Sequence, residues 1–300
     1  MENSGFEGEQ QIFFELRKGS GNGFSDVAGM EELKQMIAKK VLFVLKERDK
    51  AIEYKLTIPN GMLLYGPPGC GKTYFAEKLA EEIGYNYVIC KGSDLGSTFV
   101  HGTQGKIAQL FKIARENAPT VIILDEFDAL VPSRDQLTSA HLSSEVNEFL
   151  SQLNNSAKNN VFVVATTNRP DKIDSAVLRT GRMDLQVYIP MPDQKCREAM
   201  FAHHLKGRPY SDIILEVLAS ASNGLTASDI AYIVNDVALG AAIEGEPITQ
   251  QMLLKSIGSF TPSITPAQLA KYERIYRSLS SKGMSSEQMQ QLFNRFFKKA

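Results

Sequence analysis

Met62-Leu63-Leu64-Tyr65-Gly66-Pro67-Pro68-Gly69-Cys70-Gly71-Lys72-Thr73-Tyr74 is the stretch on which the reading of this chain turns. A four-residue apolar run hands over to a Gly/Pro-rich turn. Beyond Thr73, Phe75, Ala76, Leu79, Ala80 and Ile83 recur at helical spacing, and Gly84 is placed to end the helix. The order is therefore buried strand, glycine-rich turn, helix. Such a turn can bring backbone N–H groups inward around a phosphate chain, because Gly66, Gly69 and Gly71 accept φ angles and close approaches that a Cβ forbids. The helix N-terminus beyond it adds partial positive charge. Gly66 to Thr73 matches Gly-x-x-x-x-Gly-Lys-Thr in full. In that motif the lysine, Lys72, reaches the β- and γ-phosphates and the hydroxyl of Thr73 ligates a bridging Mg²⁺. The candidate phosphate-binding set is Gly66, Pro67, Pro68, Gly69, Cys70, Gly71, Lys72, Thr73 and Tyr74.

A second apolar run, Val121-Ile122-Ile123-Leu124, ends in Asp125-Glu126. Two acids at the C-terminal end of a parallel strand face the same crevice as the glycine-rich turn. Alone they are equally a solvated loop. Beside the turn, Asp125 fits the carboxylate that holds Mg²⁺, usually through water, and Glu126 fits the residue that orients and polarises an attacking water.

Taken in order, residues 1–23 read as a short N-terminal extension and linker. Ile12-Phe13-Phe14 with Leu16 is either a docking segment or a strand or helix folded back on the body, and Gly19-Ser20-Gly21-Asn22-Gly23 is linker-like. Leu33, Met36, Ile37, Val41 and Val44 give helical spacing from Met30 to about Lys50. Tyr85 to Cys90, Val161 to Ala165 and Leu185 to Ile189 read as further strands. Helices between them are marked by Ile107, Leu110, Phe111 and Ala114, and by Leu142, Val146, Phe149, Leu150 and Leu153. The alternation predicts an α/β domain over 24–192, a parallel sheet with helices on both faces. From Gln194 onward strand signals disappear, and residues 193–300 read as a small all-helical domain with further C-terminal helices. Thr226 with Asp229, and Ser285 with Gln288, resemble capping boxes. Thr265-Pro266-Ala267-Gln268 combines an N-cap, a first-turn proline and a third-position glutamine.

Lys and Arg total 33 against 34 Asp and Glu, a net charge of −1 with pI ≈ 6.5. A protein that grips nucleic acid by neutralising phosphates carries a basic balance or stripe, so nucleic acid is not the expected partner. Three dispersed cysteines suggest neither a disulfide framework nor zinc-ligand spacing. The first residues lack the basic and apolar regions of a signal peptide, and no apolar run approaches membrane-spanning length. The expectation is a cytoplasmic protein with no membrane partner.

At this point the motifs carry a resemblance: the chain resembles a single AAA+ ATPase module of the protein-remodelling type, from Phe24 to about Tyr276. Asp26-Val27-Ala28-Gly29 is similar to the family's opening segment, whose backbone contacts adenine, which adds Val27, Ala28 and Gly29 to the site. Thr166-Thr167-Asn168-Arg169-Pro170-Asp171, then Asp174 and Leu178 to Asp184, is similar to the family's second region of homology. The resemblance gives Asn168, otherwise a turn-capping amide, the role of positioning the attacking water or a γ-phosphate oxygen. It gives Arg182, otherwise a solvated charge, the role of an arginine finger inserted into a neighbouring subunit's site. Leu185 stands where the family usually has a second basic residue, and Arg179 is a candidate helper. Thr98-Phe99-Val100-His101-Gly102 resembles the first pore loop, with Phe99, Val100 and His101 as substrate-gripping candidates, although the family commonly has glycine at His101. Arg134 and Thr138 to His141 fall at a second pore loop. Gly224 to Ile230 resembles the family's Gly-x-Ser-Gly-Ala-Asp-Ile segment, with Ala227-Ser228 in place of Gly-Ala. Pro262 to Pro266 with Lys271-Tyr272-Glu273 resembles the segment after the small domain in many remodellers.

The resemblance implies ATP and Mg²⁺ as cofactors, an ATP phosphohydrolase, and a homo-oligomeric ring, hexameric in the family, that threads a polypeptide through its pore. The substrate protein arrives directly or through an adaptor, and remodellers of HORMA-domain proteins are one possible kin. Two alternatives stand beside it: a nucleic-acid-linked loader, and a nucleotide-switched scaffold. No His-Glu-x-x-His occurs in these 300 residues, so they carry no zincin-type protease site. The ending Phe297-Lys298-Lys299-Ala300 lacks a hydrophobic-Tyr-x docking tail.

Overall fold

The computed structural model describes residues 14–95, 102–133, 140–179 and 181–280. The strands are β1 (Leu16–Lys18), β2 (Gly61–Tyr65), β3 (Asn86–Lys91), β4 (Thr120–Asp125), β5 (Val161–Thr167), β6 (Leu185–Tyr188), β7 (Tyr210–Ser211) and β8 (Ile248–Thr249). The helices up to β6 are α1 (Glu31–Ile37), α2 (Phe43–Lys46), α3 (Arg48–Glu53), α4 (Lys72–Ile83), α5 (Gly92–Leu95), α6 (Gly102–Glu116), α7 (Phe127–Leu130) and α8 (Ala140–Leu153). After β6 come α9 (Gln194–Leu205), α10 (Leu215–Ala221), α11 (Ala227–Glu244), α12 (Gln250–Ser259) and α13 (Pro266–Ser280).

Six strands form one sheet in the order β1-β3-β4-β5-β2-β6, parallel except for β1. The inner strands are buried on both faces, which is why they read as continuous apolar runs rather than alternating ones. Alternate residues still sort by face. Ile122, Leu124, Val161 and Val163 pack under α6 and α8 with Phe111, Phe127 and Phe149, whereas Val121, Ile123, Phe162 and Val164 pack under α1 and α4 with Ile37, Phe75 and Leu79.

β2 lies between β5 and β6, while its crossover helix α4 leads to β3 on the other side of β4 and β5. Strand order therefore reverses beside β2, and a crevice opens above the C-terminal ends of β2, β5 and β4. Register brings Tyr65 level with Thr167 and Leu64 level with Thr166. The sheet thus delivers the glycine-rich turn, Asp125 and the Thr166-Thr167 pair to one edge.

Of the two readings of the N-terminal apolar segment, the strand folded back on the body is the one found: Leu16–Lys18 pairs antiparallel with Asn86–Val88 as a sheet edge, and Phe14 packs against the core. Two other sequence expectations differ in detail from the structure. The helix expected from Met30 to Lys50 is interrupted by a π-helical turn at Ala38–Leu42. Leu33, Ile37 and Val41 repeat every four residues, which drifts off a 3.6 period, and one wider turn restores the buried stripe. The helical unit also holds a two-residue parallel pair, Tyr210 with Ile248 and Ser211 with Thr249, too short to leave a periodicity in sequence.

That unit packs α9 to α12 around Phe201, Leu218, Ile230, Ile233, Val234 and Leu253. The Thr226 capping box is present: its hydroxyl accepts from Asp229 N at 3.2 Å, and Asp229 Oδ2 accepts from Thr226 N at 2.9 Å. Thr265 and Gln268 exchange the same pair of bonds at the start of α13. Ser285 and Gln288 lie outside the described residues. α13 does not stay with the helical unit. Tyr276 is buried against Tyr188 of β6 with ring centroids 5.2 Å apart, and Tyr188 lies 5.5 Å from Tyr65.

Candidate functional site

Gly66 leaves β2 with φ 153°, and a Cβ there would stand 2.2 Å from the carbonyl oxygen of Ile189. Only glycine fits. Gly69, with φ 74°, comes so close to α11 that a Cβ would meet Thr226 Oγ1 at 2.8 Å, and its own carbonyl accepts from Ser228 N at 3.0 Å. The turn is therefore held from both sides, by the end of β6 and by the start of α11. Cys70 turns its thiol into the core, 3.6 Å from Met191 Sδ, and burial pushes that thiol up to about 12. What Cys70 can offer a ligand is its backbone.

Lys72 opens α4 and is 6 % exposed. Its ammonium donates to the carbonyls of Gly66 at 3.1 Å and Pro67 at 2.6 Å. Burial pushes it down to about 8, against the opposing pull of Cys70 and Asp125. Thr73 Oγ1 donates to Asp125 Oδ1 at 3.0 Å. The same carboxylate oxygen accepts from Thr166 Oγ1 and, at 3.0 Å, from the backbone N–H of Glu126. Glu126 itself has φ 52°, a left-handed conformation that a glutamate rarely adopts. Such conformations cluster at functional sites.

Asn168 follows β5 and is exposed at the cleft. The peptide after it is held at both ends. The Asn168 carbonyl accepts from Tyr272 Oη at 2.7 Å, and the N–H of Arg169 donates to Thr167 Oγ1 at 2.8 Å. Thr167 in turn donates to Asp128 at 2.6 Å.

A cleft of about 390 Å³ opens here, within the range for a small ligand. Gly69, Gly71, Lys72, Thr73, Tyr74, Asp125, Glu126 and Asn168 all face it. A polyphosphate fits the donor set: a glycine cradle, a buried lysine whose present partners are two backbone carbonyls, and a helix N-terminus. A hard divalent cation fits Thr73 and Asp125, two oxygens that already converge.

The other sequence candidates lie elsewhere. Val27, Ala28 and Gly29 run between the large unit and α9, where Lys34 Nζ donates to Val27 O at 2.6 Å and Cys196 Sγ to Ala28 O at 3.1 Å. They do not line the cleft, and neither do Gly66, Pro67, Pro68 and Cys70. Arg182 is held away from it, donating to Ala176 O at 2.6 Å and Asn154 Oδ1 at 3.2 Å. Phe99, Val100 and His101 lie outside the described residues, as do Arg134 and residues 138–139 of the second loop.

Thr166, Thr167, Asp128, Ser228 and Tyr272 were not among the sequence candidates for the site. The two threonines extend β5 past Ala165, where the sequence reading ends the strand; their β-branched side chains are the signal that could have carried it further. Tyr272 stands in a segment named for its resemblance to the one after the small domain, but nothing in sequence marks its partner, a backbone carbonyl 104 positions away.

A family model described as "ATPase family associated with various cellular activities (AAA)" matches residues 62–191, which span the glycine-rich turn, the Asp125-Glu126 pair and the Asn168 loop. Through this domain the chain belongs to the AAA family. It is 41% identical over 224 residues to the ATP-dependent zinc metalloprotease FtsH 3 of Symbiobacterium thermophilum, covering 73% of this chain and 36% of that protein. It is 33% identical over 271 residues to the Cell division cycle protein 48 homolog of Archaeoglobus fulgidus, covering 84% of this chain and 37% of that one. The chain thus spans little more than a third of the length of these relatives. Among the described residues no helix is long and apolar enough to cross a membrane.

Proposed function

We propose that the chain is an ATP phosphohydrolase that works as one subunit of a ring, a hexamer, and spends the cycle on remodelling a polypeptide threaded through the central channel. The observation that carries the ATPase part is the convergence of Lys72, Thr73, Asp125 and Glu126 on one cleft at the point where strand order reverses. In this reading Lys72 exchanges the carbonyls of Gly66 and Pro67 for β- and γ-phosphate oxygens. Thr73 and Asp125 would hold Mg²⁺, which when bound neutralises charge on the phosphates. Glu126 orients a water and takes its proton as the oxygen attacks the γ-phosphorus and ADP leaves. The Asn168 amide holds that water or a γ-phosphate oxygen. Arg182, directed away from its own cleft, serves the site of a neighbouring subunit, where an arginine in trans is worth about 10³–10⁵ in rate.

The ring, the threading by Phe99, Val100 and His101, and the adenine contacts of Val27 to Gly29 rest on the family resemblance. So does the partner side, a protein substrate taken directly or through an adaptor such as a HORMA-domain protein. A cytoplasmic location is in keeping with three buried, free cysteines. The test is light-scattering mass with ATP, combined with turnover in the presence of an unfolded polypeptide or of DNA. The reading predicts a closed oligomer and stimulation by polypeptide. Stimulation by DNA alone would replace it with the nucleic-acid-linked alternative, and a monomer with full turnover would remove the ring.

A further inference from the structure

Resting on the ATPase reading, we infer that Tyr272 is a positioning residue for hydrolysis: its hydroxyl, carried on α13, sets the orientation of Asn168 at the cleft. The Asn168–Arg169 peptide lies just past the last ladder pair of β5, Tyr65 with Thr167. Its two polar ends are taken by Tyr272 Oη on the carbonyl and Thr167 Oγ1 on the amide, at 2.7 and 2.8 Å. Holding both ends of that peptide fixes ψ of Asn168 and with it the direction of the side chain. Lys271, one residue earlier, pairs with Asp171 at 3.0 Å and ties down the far end of the same loop.

The helix that carries Tyr272 is anchored at two places. Tyr276 packs on Tyr188, and Tyr188 on Tyr65, the residue immediately before Gly66. Upstream, Ser263 donates through both its N–H and its hydroxyl to Asp229 of the α11 capping box, and the next residue back, Ser228, bonds the Gly69 carbonyl. A continuous run of contacts therefore links one side of the cleft, Gly69, to the other, Asn168, by way of α11 and α13. Detaching the Tyr272 hydroxyl frees the Asn168 peptide without substituting any residue that lines the cleft.

Tyr272→Phe removes the hydroxyl and keeps the ring in its packing. Losing one such bond lowers kcat for ATP by about five-fold, with KM unchanged and the thermal midpoint lowered by no more than about 2–4 °C. Because Tyr272 acts through Asn168, the same change made in an Asn168→Ala background lowers kcat by less than about two-fold. Backbone amide exchange across residues 168–171 is faster in Tyr272→Phe than in the wild type. The inference is overturned when the wild type hydrolyses ATP and Tyr272→Phe matches it, or when the loss is equal in both backgrounds. A wild type without turnover overturns the ATPase reading itself, and the positioning role with it.

Discussion

Thr73 Oγ1 and Asp125 Oδ1 stand 3.0 Å apart although 52 residues separate them in sequence. One lies in the first turn of the helix that follows the glycine-rich turn, and the other ends the second strand away from that turn's own. Their meeting places a hydroxyl and a carboxylate where a divalent cation needs two hard oxygens. Asp125→Asn keeps an acceptor for Thr73 and Thr166 but removes the charge. The expected result is a thermal midpoint near that of the wild type, loss of the Mg²⁺-dependent gain in nucleotide affinity, and turnover reduced by at least about 100-fold. Titration of a fluorescent nucleotide with and without Mg²⁺ checks it.

Lys72 predicts a proton linkage. Its value in the folded chain, about 8, lies below the ordinary 10.5, and burial is the main cause. Between those values the unfolded chain holds a proton that the native chain has released, so this group makes stability rise as pH increases through that window and contributes no pH dependence below it. Phosphate oxygens at the ammonium favour its charged form. Nucleotide binding around pH 8 is therefore accompanied by proton uptake, read as a calorimetric heat that scales with the ionisation enthalpy of the buffer. Lys72→Met abolishes the uptake.

How much of this was legible in the chain depends on the range of the interaction. The glycine-rich turn, the apolar runs and the Thr226 capping box are local, and each is written within a few residues. Buried parallel strands are uniformly apolar, so their existence was readable while β5 was cut short at Ala165 by the two threonines that extend it to Thr167. The π-helical turn at Ala38–Leu42 and the β7–β8 pair depend on tertiary packing. The return of α13 to Tyr188 and Asn168 depends on aromatic faces and a backbone carbonyl, neither of which leaves a pattern in one sequence.

Asp229 is a stability determinant out of proportion to its single charge. It is 3 % exposed and accepts from Thr226 N, Ser263 N and Ser263 Oγ. Asp229→Ala leaves those donors unpaired in a buried place, at a cost of about 2–4 kcal/mol. A denaturant midpoint that falls with an unchanged slope is the expected outcome, and Asp229→Asn recovers part of the loss.

Arg182→Ala is expected to separate binding from turnover. The side chain contacts Asn154 and Ala176 rather than the cleft of its own chain, so nucleotide affinity is retained. Turnover falls by about 10³-fold or more, as for a cation removed from a transition state. Mixing Arg182→Ala with the Asp125→Asn chain restores part of the activity, because intact clefts of the first then meet intact arginines of the second.

The most direct measurement is steady-state ATP hydrolysis by the wild type and by Glu126→Gln, with nucleotide affinity measured on both. The account predicts turnover by the wild type, a loss of about 10²–10⁴-fold in the variant, and equal or tighter binding of ATP by it. A wild type that binds ATP without hydrolysing it, or a Glu126→Gln chain that turns over at the wild-type rate, would contradict the assignment of this cleft as an ATPase site.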